Sequence, residues 1–184
     1  PPPLLIPPAS SSPPPHPLDS RTGLDDEQNV RFWYVSQLFK QHDVGFSQGV
    51  QGRRQWAEPP PVGWGRPELS FSEQLKYKYL LSLEGNDVAT DLKWKLASGS
   101  LVFMPTPTKE GWLMEGMLRP WVHYVPVYTP DDLDAKLAWA REHDDWARGI
   151  VANATAHMQQ FAELGRERDI ISTMLWRYKE NVHI

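Results

Sequence analysis

The sequence predicts an α/β protein built on a Rossmann-like parallel sheet with a helical C-terminal tail. Three observations carry that expectation. A run of short apolar strands alternates with helical patterns in the order strand, helix, strand, helix, strand, helix. One of those runs, Leu101-Val102-Phe103-Met104, is apolar at every position, as a strand covered on both faces must be. The last third of the chain carries apolar residues at helical spacing. Strands that alternate with helices imply right-handed crossovers and parallel pairing.

The elements follow in order. The segment Arg31 to Phe39 places Phe32, Val35, Leu38 and Phe39 on one helical face, and Asp43 to Ser47 reads as a short strand and its exit. Ser72 is expected to cap a short helix opening at Glu73. Tyr77 to Leu83 is an aromatic and aliphatic run ending at Glu84-Gly85-Asn86-Asp87, a strand and then a turn. Val88, Leu92 and Leu96 recur every four residues and mark a helix that Gly99 ends. After the Leu101–Met104 strand, Pro105-Thr106-Pro107-Thr108 leads away, and 110–118 is expected to hold a short helix. Trp121 to Val127 is the third strand. Thr129-Pro130-Asp131-Asp132 has the order of a helix start, with a capping Thr, Pro in the first position and acids in the first turn. Three apolar stripes follow: Leu133, Leu137 and Ala140; then Ala147 to Phe161; then Ile170, Ile171, Met174, Leu175 and Tyr178. All three read as core packing.

Composition removes several classes of function. The 184 residues include no cysteine, so no disulfide framework, thiolate metal site or cysteine nucleophile exists. The net charge of −4 lacks the basic surplus expected of a nucleic-acid binder. No run approaches the roughly 18 apolar residues of a membrane span. The six histidines show no metal spacing, and no GxSxG elbow, GxGxxG or Walker sequence occurs. No metal is therefore expected. The nine tryptophans suit stacking on sugar rings, and they suit core packing equally. His123, in an apolar strand, reads as a core histidine held by a local partner.

The 18 prolines are uneven. Nine lie within residues 1–17, an extended polyproline-like stretch without packing power. Residues 1–19 are thus expected to be a Pro-rich disordered segment, and 20–184 a single folded domain. The first residue is not Met, so the chain reads as processed, trimmed or a fragment.

In a parallel sheet, ligands sit beyond the carboxyl ends of the strands. Three segments converge there: 84–87, 105–115 and 126–129. Gly85 allows backbone to approach a ligand closely. A helix start at Asp87 to Ala89 would offer unpaired N–H groups to a phosphate. The acids Glu84 and Asp87 would repel one, and suit sugar or ribose hydroxyls instead; Asp87 also reads as a plain helix cap. Glu110 and Glu115 could bond a sugar or form a solvated face, and Lys93 reads as exposed.

The segment Lys76-Tyr77-Lys78-Tyr79 through Glu84-Gly85-Asn86-Asp87-Val88-Ala89-Thr90-Asp91-Leu92-Lys93-Trp94 resembles the core of the CAP-ten, or Rumi-like protein O-glucosyltransferase, family, family ninety of the glycosyltransferases. Leu96 to Val102, Trp112-Leu113-Met114-Glu115-Gly116 and Leu118-Arg119-Pro120-Trp121-Val122-His123-Tyr124-Val125-Pro126 resemble its following segments, and Arg166 to Tyr178 its closing helix. The EGNDVAT wording is closer to the bacterial lipopolysaccharide-type and algal branch than to the animal enzymes. The resemblance implies the C-terminal half of a GT-B glycosyltransferase. It implies an inverting, metal-independent transfer of a glucose- or xylose-class sugar from a UDP-sugar to a glycan or protein hydroxyl. No cofactor is implied beyond that donor. The implied donor-binding residues are Arg21, Arg31, Glu84, Gly85, Asn86, Asp87, Val88, Ala89, Thr90, Asp91, Lys93 and Glu115. Animal members carry Arg where this chain has Asp91, and Leu18-Asp19 stands where the family has Arg-Gly. The implied catalytic base belongs to the other domain, so the proline cluster reads as the seam between halves. A non-catalytic nucleotide-sugar or glycan binding module stays open as the alternative, and an α/β interaction domain as a third reading. The compartment follows the source: secretory-pathway lumen in a eukaryote, cytoplasm in a bacterium. The sequon at Asn153-Ala154-Thr155 is compatible with the former.

Overall fold

The structure is a computed structural model, and it describes residues 26–47, 62–85 and 87–182. The expectations for 1–19, for Arg21 and for Asn86 lie outside the described residues. The elements run α1 (Asp26–Leu38), α2 (Phe71–Gln74), β1 (Tyr79–Leu81), α3 (Leu92–Ala97), β2 (Leu101–Met104), β3 (Val125–Pro126), α4 (Asp132–Glu142), α5 (Asp144–Gln159) and α6 (Leu164–Asn181). A 3-10 turn occupies Glu115–Met117.

The three strands form a parallel sheet in the order β1-β2-β3, with Tyr79 opposite Leu101 and Phe103 opposite Val125. Side chains alternate across a strand, so β2 splits its four apolar residues between two cores. Leu101 and Phe103 pack with Tyr34 and Leu38 of α1 and with Leu133, Leu137, Ala140, Ala147 and Ile150 of α4 and α5. Val102 and Met104 pack on the other face with Ala89, Leu92, Leu96, Leu113, Leu118, Tyr124 and Ala154. Every residue of β2 is 3 % exposed or less. Helices thus cover both sides of a small parallel sheet, as the alternating pattern required.

Several boundaries differ from the sequence reading, each for a local reason. The strand expected over 77–83 pairs only over Tyr79–Leu81. The third strand is Val125–Pro126, because Trp121 takes a left-handed φ of 62° and residues 121–123 turn, leaving a bridge from Pro120 to Tyr124. The strand expected near Asp43 to Ser47 is one parallel bridge between Phe46 and Gly65. The cap of α2 is Ser70 rather than Ser72: its hydroxyl accepts from the Glu73 N–H, and the Glu73 carboxylate accepts from the Ser70 N–H at 2.8 Å, a reciprocal capping box. At α4 the carboxylate of Asp132 accepts from the N–H groups of Tyr128 and Thr129, so an acid, not the Thr129 hydroxyl, satisfies these donors.

The helix stripes divide. Those of α4 and α5 are buried as expected, through Leu133, Leu137, Ala140, Ala147, Ile150 and Ala154. The stripe of α6 is not core: Ile171, Met174, Leu175 and Tyr178 are 45 %, 55 %, 65 % and 58 % exposed. Periodicity shows that one face is apolar and does not show what covers it. Here the helix runs beyond the sheet, and no other described element lies over that face.

The first core is pinned by Tyr34, 1 % exposed, whose hydroxyl donates to the Val127 carbonyl at 2.7 Å. Burial and the nearby Asp132 push its phenol far above the ordinary tyrosine value, so it stays a donor. This bond ties α1 to the chain leaving β3. Tyr34→Phe leaves that carbonyl unpaired, and we expect a loss of about 1–3 kcal/mol of stability by chemical denaturation.

Candidate functional site

The carboxyl ends of β1 and β2 meet at Gly85, and three elements close on it. From α1, Arg31 donates through Nε to the Glu84 carbonyl at 3.1 Å and through Nη2 to the Leu83 carbonyl at 3.2 Å. A side chain at Gly85 would place its Cβ 2.7 Å from the Arg31 guanidinium carbon, so glycine is what lets the guanidinium lie against the backbone. From the loop after β2, the Lys109 ammonium donates to the Gly85 carbonyl at 2.9 Å. The Glu84 carboxylate accepts from the N–H groups of Thr108 and Lys109, at 2.9 and 3.1 Å, and from the Thr108 hydroxyl at 2.5 Å. Glu84 therefore staples the loop after β2 to the end of β1.

Beneath this staple lies a cavity of about 190 Å³. Val30, Ala89, Leu92, Met104, Pro105 and Pro107 supply apolar walls, and Ser82, Glu84, Gly85, Thr106, Thr108, Lys109 and Glu115 supply polar atoms. Glu115 is 2 % exposed, and its Oε2 accepts from the Gly111 N–H at 2.6 Å. It follows Met114, which is held in the left-handed region at φ 54° and ψ 59°. A non-glycine residue there stores strain, and such strain gathers at functional sites. A second, larger cleft of about 810 Å³ runs along the open edge of β1, where Arg31, Thr90, Asp91, Phe71, Tyr77, Trp94 and Lys95 face it.

The twelve candidate residues distribute as follows. Glu84, Gly85, Ala89 and Glu115 line the cavity, whereas Arg31, Thr90 and Asp91 line the larger cleft. Val88 is half-buried near Gly111. Asp87 and Lys93 are exposed and line neither space, and Arg21 and Asn86 lie outside the described residues. The helix start expected at Asp87 is corrected. Residues 87–91 are bends and a turn, the Asp87 carboxylate accepts from the Val88 N–H at 2.8 Å, and the Gly85 N–H donates back to the Asp87 carbonyl. The helix begins only at Leu92 and is six residues long, so 87–89 is not a helix N-terminus. Asp91 accepts from Ser82 Oγ at 2.9 Å and pairs with Lys95, whose ammonium also reaches the Leu81 carbonyl. The helix expected over 110–118 shrinks to the turn after Met114. Sequence reasoning missed Thr106, Thr108 and Lys109 as individual residues. Their only signal was the proline pair that lifts this loop from the end of β2. Among the described residues no three His, Cys, Asp or Glu side chains gather as a metal site.

His123 behaves as a core histidine. Its Nδ1 accepts from the Arg119 N–H at 2.9 Å, and its ring lies 5.0 Å from that of His157. Burial, with His157 and Arg119 nearby, pushes it down to about 4.

Residues 54–183 match the sequence profile described as glycosyl transferase family 90. The chain belongs to this family. It is 42 % identical over 136 residues to the O-glucosyltransferase LpsA of Dichelobacter nodosus, covering 73 % of this chain and 41 % of that one. It is 38 % identical over 96 residues to protein O-glucosyltransferase 2 of Danio rerio, covering 51 % of this chain and 18 % of that one. It is 28 % identical over 128 residues to an O-glucosyltransferase rumi homolog of Anopheles gambiae, covering 67 % and 32 %. The chain thus spans less than half the length of each of these relatives. Within the matched span, Glu84, Gly85 and Ala89 line the cavity, Thr90 lines the larger cleft, and residues 118–124 lead into β3.

Two outcomes follow for this region. A histidine whose pKa is depressed on folding favours the native state above its unfolded value near 6.5. That contribution is lost as pH falls toward about 4. We expect the melting temperature of His123→Asn, which keeps an acceptor for Arg119, to fall less steeply than that of the native protein between pH 6.5 and 4. At Met114, Asn tolerates the left-handed region and Val does not. We expect Met114→Asn to hold or raise the melting temperature and Met114→Val to cost about 1–3 kcal/mol.

Proposed function

We propose that this chain carries the donor site of a family 90 glycosyltransferase. In this reading the enzyme moves a sugar of the glucose or xylose class from a UDP-sugar to a hydroxyl of a glycan or protein. The observation that carries it is the cavity at the carboxyl ends of β1 and β2, lined by Glu84, Gly85 and Glu115, with Arg31 of the larger cleft lying against Gly85. That is where an α/β sheet presents ligands, and family membership names sugar transfer as the chemistry. The relatives named above are O-glucosyltransferases, which supports a glucose-class donor.

The donor would be held by residues among Arg21, Arg31, Glu84, Gly85, Asn86, Asp87, Val88, Ala89, Thr90, Asp91, Lys93 and Glu115. Arg31 is the cation among the described members of that set nearest the strand ends, and it suits the diphosphate. The carboxylates suit ribose or sugar hydroxyls. Transfer would be inverting and metal-independent, within a GT-B arrangement whose other domain supplies the base that takes the acceptor proton. A single displacement at the anomeric carbon needs that base aligned against the acceptor hydroxyl. A second reading is a nucleotide-sugar or glycan binding module without turnover, which the same cavity and cleft would serve.

Calorimetric titration of the chain with UDP-glucose and UDP-xylose tests the donor site. We expect saturable binding that a chelator leaves unchanged and that Arg31→Ala weakens. Absence of binding to both sugars would overturn the donor-site reading, and chelator-sensitive binding would overturn metal independence. Sugar transfer by the chain alone, to water or to an acceptor, would overturn the binding-module reading.

A further inference from the structure

Helix α6 stands away from the rest of the molecule. From Ile171 to Val182 every residue is exposed, over a rise of about 16 Å. A free helix of that length is marginal in water, and an amphipathic one gains from whatever covers its apolar side. At 3.6 residues per turn, Ile171, Met174, Leu175, Tyr178 and Val182 share one face. The first turn of α6 is fixed: the Trp112 indole N–H donates to the Glu167 carboxylate at 2.8 Å. Glu167 lies one turn before Ile171, on the same side, and Trp112 is itself 48 % exposed. An aromatic ring therefore stands at the base of the apolar face.

The charges of α6 are sorted around that face. Arg168 and Lys179 flank it on one side, about 60° and 80° from its centre, and Arg177 and Arg166 follow farther round on the other. Asp169 and Glu180 lie opposite it. The remaining acid, Glu167, is engaged by Trp112. The chain as a whole has a net charge of −4, so this cationic flank is a local arrangement and not a reflection of composition. An apolar face with cations beside it and acids behind it is the pattern of a helix lying in a lipid interface, where Arg and Lys extend to the headgroups. Anionic headgroups complement the flank. A flat lipid surface also covers a protruding ridge from one side, which is all that a single apolar face requires. Among the described residues no helix is long and apolar enough to cross a membrane, and the charged back of α6 suits a helix lying along the surface.

We propose that α6 docks this chain on a membrane surface that carries anionic lipid headgroups. Ile171, Leu175 and Tyr178 turn toward the acyl chains, and Arg168 and Lys179 reach the phosphates. The bond between Trp112 and Glu167 then keeps the 111–118 segment beside that surface. This goes beyond the donor-site reading and does not depend on it.

Sedimentation of the full chain with vesicles tests the proposal. The vesicles are phosphatidylcholine alone, or phosphatidylcholine with an equal amount of phosphatidylglycerol. We expect binding to the mixed vesicles that salt weakens. Binding to phosphatidylcholine should be roughly 25-fold weaker, about fivefold for each of two cations near the surface. Arg168→Gln combined with Lys179→Gln should lower binding to the mixed vesicles by the same factor. Leu175→Glu, at an exposed position, should lower it roughly 10–100-fold, the loss of one buried Leu side chain, with the circular dichroism unchanged. Because the chain has no cysteine, an environment-sensitive fluorophore on Leu175→Cys or on Thr173→Cys reports a single position. Thr173 lies on the opposite side of α6. We expect the label at position 175 to shift to the blue on mixed vesicles and the label at position 173 to stay as in water. Absence of binding to the mixed vesicles overturns the proposal, as does equal binding to both vesicle types. Binding that Leu175→Glu leaves unchanged, or equal shifts of the two labels, overturns it as well. Self-association by sedimentation velocity that Leu175→Glu abolishes, in a chain that ignores vesicles, would overturn it in favour of a second copy on this face.

Discussion

The structure depends on the burial of β2 on both faces. Leu101, Val102, Phe103 and Met104 are each 3 % exposed or less, and a strand covered twice needs a layer of helices on each side. From this one requirement come α1, α4 and α5 on one face, and α3, the C-terminal part of α5 and the 113–118 segment on the other. Parallel pairing then sets the carboxyl ends of β1 and β2 at the same rim. The site is a consequence of how the central strand is buried, since the loops leaving that rim have nowhere else to go.

The open edge of β1 shows how the fold controls what that burial leaves exposed. Lys78 and Ser82 hydrogen-bond toward β2, so Leu81 and Leu83 direct their carbonyls the other way. An unpaired edge is a template for unwanted strand addition. Here Lys95 covers the Leu81 carbonyl and Arg31 covers the Leu83 carbonyl. Lys95 is 6 % exposed and is tolerated because Asp91 pairs with it and Ser82 supports Asp91. Asp91 is thus part of a local ion pair that closes the sheet edge. Arg31 also lies against Gly85, whose carbonyl Lys109 holds, so edge protection and site construction share one cation.

Legibility varied with the range of the interaction. The buried run of β2 and the stripes of α4 and α5 could be read because each depends on local periodicity meeting a core. The α6 stripe has the same periodicity and is exposed, since nothing in a four-residue repeat says whether a partner lies above it. Asp87 shows the opposite failure. Its place before Val88, Leu92 and Leu96 looks like a cap, yet its carboxylate is taken by the neighbouring Val88 N–H and the helix waits until Leu92. Glu84 and Glu115 were recognisable as acids near the strand ends. That one would staple a loop while the other would be buried and accept from the Gly111 N–H was not, because the first depends on residues more than twenty positions away and the second follows a left-handed turn.

By itself, the sequence determined the α/β character of the fold, the parallel order of its strands and the family. These rest on apolar periodicity and on contiguous wording, both of which survive without coordinates. Tertiary structure alone decided the length of each strand, the late start of α3, the exposure of α6 and the division of labour among the acids. A carboxylate does not carry its partner in its own sequence neighbourhood. Glu84 finds Thr108 and Lys109 across 24 and 25 residues, and Arg31 finds the end of β1 across more than 50. Such contacts exist only once the central strand is buried and the loops are brought together.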